Sequence, residues 1–425
     1  MKRTRFISSG LVFMIFILFA GYVIAGEVKE GTIINKSNID SLKGETFEGH
    51  TIASLLTEKL ELMIRNYGMA MKIQHSKVWT PEPRYIQATE KYSKNVKYDP
   101  KTRLVTGYVA GLPFPNVSLD DPYAGDKLMY NFVYAAPVGD FSYVPRFTYL
   151  YVDMNRGVER RQEWTYQQYY LKGRLSGPQE GDGKTLKKFL MVALSPTDIR
   201  GLGTLKTMYD DGRVPDLWAY IKSVRRIRRL PGGAWMDPIG GTDLLNDDIS
   251  VFDGMPPWYP KIKVLRKRWV FCSLHDDAMI WGRDPSKKMG TPEEFPNYDL
   301  KNPPYCNFFI KYEPREVYVI EITNPKEHPS SKKILYMDTK FPMIYHGEVY
   351  DRQGGFWKFI NMPARPKKAE DGTIVLQKLG GVIVDIKRRH ASFYVVNNTG
   401  WKTNPVGANA SWLSLEKLEE IGKGK

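Results

Sequence analysis

Between residues 187 and 252 the chain is cut into pieces too short for stable helices. Apolar runs at 189–194, 203–209 and 217–221 are each closed by turn formers: Ser195-Pro196-Thr197-Asp198, then Asp210-Asp211-Gly212, then Pro231-Gly232-Gly233. Apolar runs of this length between Pro, Gly and Asp are strand-sized. They predict an antiparallel meander, with Arg225, Arg226, Arg228 and Arg229 on its last strand and an acidic segment, 243–248, just beyond.

The same alternation recurs on both sides. Trp164, Tyr166, Gln168 and Tyr170 alternate with Thr165, Gln167 and Tyr169, a ring-rich period of two. Strands are also expected at 129–135, 146–152, 262–272, 315–323, 333–338, 343–351, 356–361 and 382–396. The short turns between the later ones imply antiparallel neighbours. Aromatic residues make up 13% of the chain, which suits pleated faces. Residues 99–125 are too dense in Gly and Pro for regular elements. Residues 273–312 read as a surface insertion loop.

Helical signals are confined to the ends. Thr51 is placed to cap a run in which Leu55, Leu56, Lys59, Leu60, Met63, Ile64 and Tyr67 share a face, stopping at Gly68. A weaker pattern covers 83–93, with Tyr85, Ala88 and Tyr92 together. A short basic helix is expected at 414–423. Such an apolar stripe is the side that packs on a sheet, or else a lid over a cavity.

Residues 1–25 have the layout of a secretory signal: Lys2, Arg3 and Arg5, an apolar run over 10–20, and Val23-Ile24-Ala25 before the cut. Cleavage after Ala25 and a periplasmic location are expected. An uncleaved anchor is the alternative, because the run approaches spanning length. Net charge is +15. A basic surface attracts nucleic acid or anionic lipid alike, and export selects the lipid; no nucleic-acid partner is expected. Cys272 and Cys306 fit one disulfide in an oxidising compartment, or two separate thiols.

The central stretch also carries a resemblance. The series Pro196-x-Asp198-Ile199-x-Gly201-x-Gly203, Trp218-Ala219-Tyr220, 225–230 (Arg-Arg-Ile-Arg-Arg-Leu) and Gly240-Gly241-Thr242-Asp243, with Asp248 beyond, resembles the LolA/LolB-like periplasmic carriers. More narrowly, it resembles domain-of-unknown-function family 1329, over about residues 38–390. Tyr350-Asp351-x-x-Gly354-Gly355-Phe356-Trp357 adds to the likeness. The resemblance implies an α+β, β-rich fold: a large curved antiparallel sheet, a half-barrel, with helices over its concave face and long surface loops. The division expected is a signal peptide (1–25), an N-terminal helical segment on the sheet (26–95), the β domain (96–400) and a C-terminal tail (401–425). The resemblance further implies lipid or another hydrophobic ligand, an inner-membrane efflux-type transporter and an outer-membrane protein as partners.

Catalytic motifs are missing. There is no His-Glu-x-x-His, Cys-x-x-Cys, Gly-x-Ser-x-Gly or phosphate-binding glycine loop, so no metal, cofactor or catalytic residue is assigned. Ser330-x-x-Lys333 occurs in a polar turn rather than at a helix start. Asp243, Asp247 and Asp248 lack the register of a calcium loop and are read as a helix cap paired with the arginines. The arginines have a second reading, capture of a phosphate or carboxylate head group at a cavity mouth. The candidate ligand-binding set is Trp218, Tyr220, Arg225, Arg226, Arg228, Arg229, Trp235 and Met236. The function expected is a non-enzymatic carrier or chaperone; the alternatives are an envelope hydrolase acting on lipid or glycan, and a ligand-free scaffold.

Overall fold

The computed structural model describes residues 26–277, 282–396 and 400–423. The expected signal sequence at 1–25 lies outside them. The chain opens with short pieces: β1 (Ile33–Ile34), α1 (Ile39–Leu42), β2 (Thr46–Phe47), β3 (His50–Thr51), α2 (Ile52–Leu55), α3 (Glu58–Asn66) and β4 (Met71–Ile73). Next come α4 (Pro83–Tyr92), β5 (Lys97–Asp99), β6 (Leu104–Thr106) and α5 (Ala124–Ala135). Long strands follow: β7 (Phe141–Asp153), β8 (Gly157–Tyr170), β9 (Thr185–Ser195), β10 (Gly203–Tyr209), β11 (Asp216–Ile221) and β12 (Arg226–Arg229). After an irregular strap, residues 231–259, come β13 (Lys261–Cys272), β14 (Lys311–Thr323), β15 (Ser330–Asp338), β16 (Ile344–Asp351) and β17 (Phe356–Asn361). The hairpin β18 (Ala364–Lys368) and β19 (Ile374–Lys378), then β20 (Gly380–Asp385), β21 (His390–Val396), β22 (Lys402–Thr403) and α6 (Leu415–Gly422) complete it.

One sheet of sixteen strands runs β1-β4-β14-β15-β16-β17-β20-β21-β7-β8-β9-β10-β11-β12, with β13 beside β14 and β22 beside β7. All its pairings are antiparallel except β4 with β14. The path does not close into a barrel. Two long edges stay open, β13, which pairs with β14, and β12, which pairs with β11. Both edges are basic: Lys261, Lys263, Arg266, Lys267 and Arg268 on one, Arg226, Arg228 and Arg229 on the other. The β13 register also shifts between Val264 and Arg266. Charge and a bulge are the usual devices that keep an edge from recruiting another strand.

Alternation sends neighbouring residues into different cores. Val317, Val319, Val382, Val384 and Phe393 face a core closed by α1–α3, where Leu60, Met63 and Ile64 are buried as their spacing predicts. Tyr318, Ile320, Ile322, Ile360 and Ile383 face the opposite core, closed by α5 and the strap. A third, smaller core joins Leu190, Val192, Leu205 and Tyr220 to Leu413 and Leu418 of the tail.

The β-rich, open-sheet architecture agrees with the sequence reading, and the central meander follows its expected bounds closely. Three details differ. Residues 129–135, expected as a strand, belong to α5, which is buried nearly all round; an apolar run without period does not separate a buried helix from a strand. The α5 axis can lie close to β13 because Gly125 has no side chain: a Cβ there would come within 2.6 Å of the Ile262 carbonyl oxygen. The 273–312 segment is not a surface loop, since Leu274, Phe295, Tyr298, Phe308 and Ile310 are buried in the first core. Residues 382–396, expected as one strand, form the β20–β21 hairpin, turning at Lys387-Arg388-Arg389. Of the two alternatives open for the cysteines, the structure has the second: Cys272 and Cys306 are separate buried thiols, and burial pushes the Cys306 thiol up to about 12. Among the described residues no helix is long and apolar enough to cross a membrane.

Candidate functional site

The strap lies across the second face and is fastened there by buried charge. Lys333 of β15 donates to Asp247 at 2.7 Å and to Asp248 at 2.5 Å. Lys187 of β9 meets Asp253 at 2.7 Å, and Lys206 of β10 meets the other oxygen of the same carboxylate. Asp243 takes Arg388 at 3.0 Å, His390 at 2.6 Å and the Ser392 hydroxyl at 2.8 Å, while its carbonyl accepts from Lys358. Burial would raise the Asp247 carboxyl, but Lys333 and His328 together hold it well below the usual carboxylate range. Burial likewise disfavours a charged His390, and Asp243 outweighs it, so this imidazole titrates higher than usual.

These contacts correct the sequence reading of 243–248. The three aspartates bind cations on β15, the β20–β21 turn and β21, not the arginines of β12. Arg226 and Arg228 are exposed on the edge, Arg225 sits in the preceding turn at φ 50°, and Arg229 pairs with Asp216. The other sequence candidates scatter. Tyr220 and the half-buried Trp218 belong to the C-terminal core. Trp235 is buried within the strap itself, its ring 5.3 Å from Trp258 and 5.8 Å from His328, with Met236 half-buried beside it. The eight do not converge on one place.

Two adjoining cavities do lie under the strap, each of about 50 Å³. One is apolar, bounded by Phe147, Tyr149, Tyr166, Phe189 and Met191 of the sheet and by Ile239, Leu244 and Ile249 of the strap. The other is polar at its wall, with Ser142, Gln168, Lys187 and Asp253 beside Phe132 and Val133 of α5. Tyr166, Ser250, Lys378 and Trp401 border both. The alternation of β8 explains the wall: Tyr166, Gln168 and Tyr170 point to it, as do Lys187, Phe189 and Met191 of β9.

Lys378, at the end of β19, is 7% exposed and donates to the Ser250 carbonyl at 2.9 Å. Burial first, and the Lys187 charge second, pull its amine down to about 7. Lys187 shifts the other way. Burial opposes its charge too, but Asp253 overcomes it and raises the amine above the ordinary lysine value. Ser250 and Val251 hold φ of 61° and 74°. For a β-branched residue this is a strained conformation, costing on the order of 1–3 kcal/mol.

A second cluster has catalytic residue types. Ser330 Oγ lies 2.9 Å from His328 Nδ1, and His328 Nε2 lies 3.2 Å from Asp247. His328 Nδ1 also accepts from the Ser330 backbone amide at 3.0 Å. Ser330 and Asp247 are 0% exposed and His328 is 1% exposed. The sequence offered Ser330-x-x-Lys333 but not the histidine two residues earlier. Among the described residues no group of His, Cys, Asp and Glu is placed to hold a metal ion.

The chain matches, over residues 33–415, the family described as "Protein of unknown function (DUF1329)". Similar solved structures include a domain from Vibrio parahaemolyticus described as an outer membrane lipoprotein-sorting protein domain. It has 13% identity, covers 70% of this chain and 100% of its own, and has a TM-score of 0.46. A DUF1329 family protein from Desulfovibrio piger has 16% identity, covers 70% of this chain and 99% of its own, and has a TM-score of 0.46. A LolA superfamily protein from Nitrosomonas europaea has 14% identity, covers 69% of this chain and 98% of its own, and has a TM-score of 0.40. No curated protein matches the chain.

Proposed function

The chain belongs to the DUF1329 family, and from that premise we propose that it is a non-enzymatic carrier or chaperone for lipid or another hydrophobic ligand in the periplasm. The observation that carries this reading is the ring-lined cavity beneath a strap held by side chains rather than by strand pairing. At about 50 Å³ the cavity is far smaller than the roughly 300–1,000 Å³ of a small-molecule site. On this reading the strap is closed over the site. Loading an acyl chain displaces Ile239, Leu244 and Ile249, and the chain's methylenes replace them at about 0.8 kcal/mol each. Delivery by a signal sequence ending at Ala25, and hand-over between an inner-membrane efflux-type transporter and an outer-membrane protein, complete the proposal. The basic edge at Arg225, Arg226, Arg228 and Arg229 would be a surface for anionic partners or lipid head groups.

The Ser330–His328–Asp247 array favours a second reading, a hydrolase. Asp247 belongs to the strap, however, so opening the strap to admit a substrate would remove the acid from the array. That geometry supports a closing latch. Lipid extraction and mass spectrometry of protein purified from the envelope separate the readings. A co-purifying lipid or other hydrophobic compound supports the carrier. Turnover of a labelled lipid, abolished by Ser330→Ala, would replace it with the hydrolase. Neither outcome leaves the scaffold.

A further inference from the structure

Two features of the paired cavities are not explained by the binding of a plain hydrocarbon. The first is a buried amine with no carboxylate of its own. Lys187 and Lys206 share the single carboxylate of Asp253, and Lys378, which lines the same cavity, has only the Ser250 carbonyl as hydrogen-bond acceptor among the described residues. Its amine also lies 5.7 Å from the centre of the Phe132 ring. A buried lysine is normally paired or solvated. The second is a donor with no acceptor among the described residues: Trp401 Nε1 is buried without a hydrogen-bond partner there, on a residue 8% exposed. Buried polar groups nearly always find one. Lys378 and Trp401 are lining residues of both cavities.

We propose that the two cavities form one two-part site for a long-chain carboxylate, its hydrocarbon among the rings and its head group between Lys378 and Trp401 Nε1. This inference rests on the carrier reading above and names its ligand class. A carboxylate has two oxygens, one for an ammonium and one for an indole N–H, which matches the donors on offer. Gln168 and the Lys187–Asp253 pair bound the head-group side, beside Phe132 and Val133. A phosphate dianion would bring two charges to one uncompensated amine. The Ser250 carbonyl now occupies the amine, on the segment held at positive φ. An incoming carboxylate replaces that weaker acceptor, so filling the head-group side and freeing the strap are the same event.

The test uses the delipidated chain without its first 25 residues and measures binding of palmitate, hexadecanol and hexadecyl phosphate by titration calorimetry. Palmitate is expected to bind about tenfold or more tighter than hexadecanol, the usual worth of a charge-assisted hydrogen bond. Lys378→Met should bring palmitate down to the alcohol's affinity and leave the alcohol unchanged. Trp401→Phe, which removes only the N–H, should weaken palmitate alone by several-fold. Equal binding of palmitate and hexadecanol by the wild-type chain overturns the head-group assignment and leaves the carrier reading standing; this comparison decides even if a variant fails to fold. Tighter binding of the phosphate overturns the carboxylate in favour of a phosphate head. Binding of none of the three overturns the carrier reading itself.

Discussion

On one face of the sheet, β2 and α1–α3 press Phe47, Ile52, Leu60, Met63 and Ile64 onto a floor of Val317, Val319 and their neighbours. On the other face, the strap meets five lysines, Lys187, Lys206, Lys333, Lys358 and Lys378. The first cover adheres by area, each fully buried side chain contributing about 1.5–3 kcal/mol, and such contact tolerates small shifts. The second adheres by matched charges, which gain little net stability when made but lose much when one partner is removed. The difference teaches that one cover tolerates small shifts while the other seats in one place, the property the proposed carrier would use to release its strap as a unit.

The largest effect expected from breaking this contrast is at Lys333. Lys333→Met strands Asp247 and Asp248 in the interior and should cost about 3–5 kcal/mol in urea unfolding. Replacing all three by apolar residues should recover most of it. Leu60→Ala on the opposite face should cost about 3 kcal/mol by loss of packing, with no change in binding of a hydrophobic dye, since the cavity lies on the other side.

Lys378→Met should act in the other direction, stabilising by up to about 5 kcal/mol near pH 6, the drop from 10.5 to about 7 at about 1.4 kcal/mol per pH unit. The sign follows from the depressed amine. Between about 7 and the ordinary lysine value of 10.5, the unfolded chain carries a proton that the folded chain lacks, so wild-type stability rises with pH across that window. The variant should lose that rise, and its advantage should shrink to nothing above the window. Thermal melts from pH 6 to 10 check it.

Gly347 of β16 faces the strap, and a Cβ there would come within 2.6 Å of Val251. Gly347→Ala should therefore cost about 1–2 kcal/mol and raise dye binding, because the clash lifts the strap at its strained point. The smallest effect belongs to the basic edge. Arg229→Ala breaks an exposed pair with Asp216 and should change stability by less than about 1 kcal/mol.

The sheet was legible in the sequence because period-two alternation and turn residues are local signals. The β8 alternation even placed Tyr166, Gln168 and Tyr170 on one face, the wall of the cavity. The site as a whole was not legible. Lys378 ends a hairpin, β18–β19, whose polar start (Arg365, Lys367, Lys368) hides its strand character. Asp243, Asp247 and Asp248 stood out as acidic, but their cations come from Lys333, Arg388 and His390, far along the chain. Nearby arginines were the locally visible partners, and strand order, not sequence distance, decided the pairing. The first core misled for a related reason: the Pro, Asp and Lys of 273–312 mask the few rings, such as Tyr298 and Phe308, that anchor it.

The rims of the sheet have a consequence for crowding. Each open margin ends in a row of cations, so two copies drifting together margin to margin meet like charge before any amide can find a carbonyl. High concentration alone then leaves the protein dispersed instead of templating fibres, and added salt, by weakening that repulsion over about 10 Å at 0.1 M, is the condition under which self-association would first show.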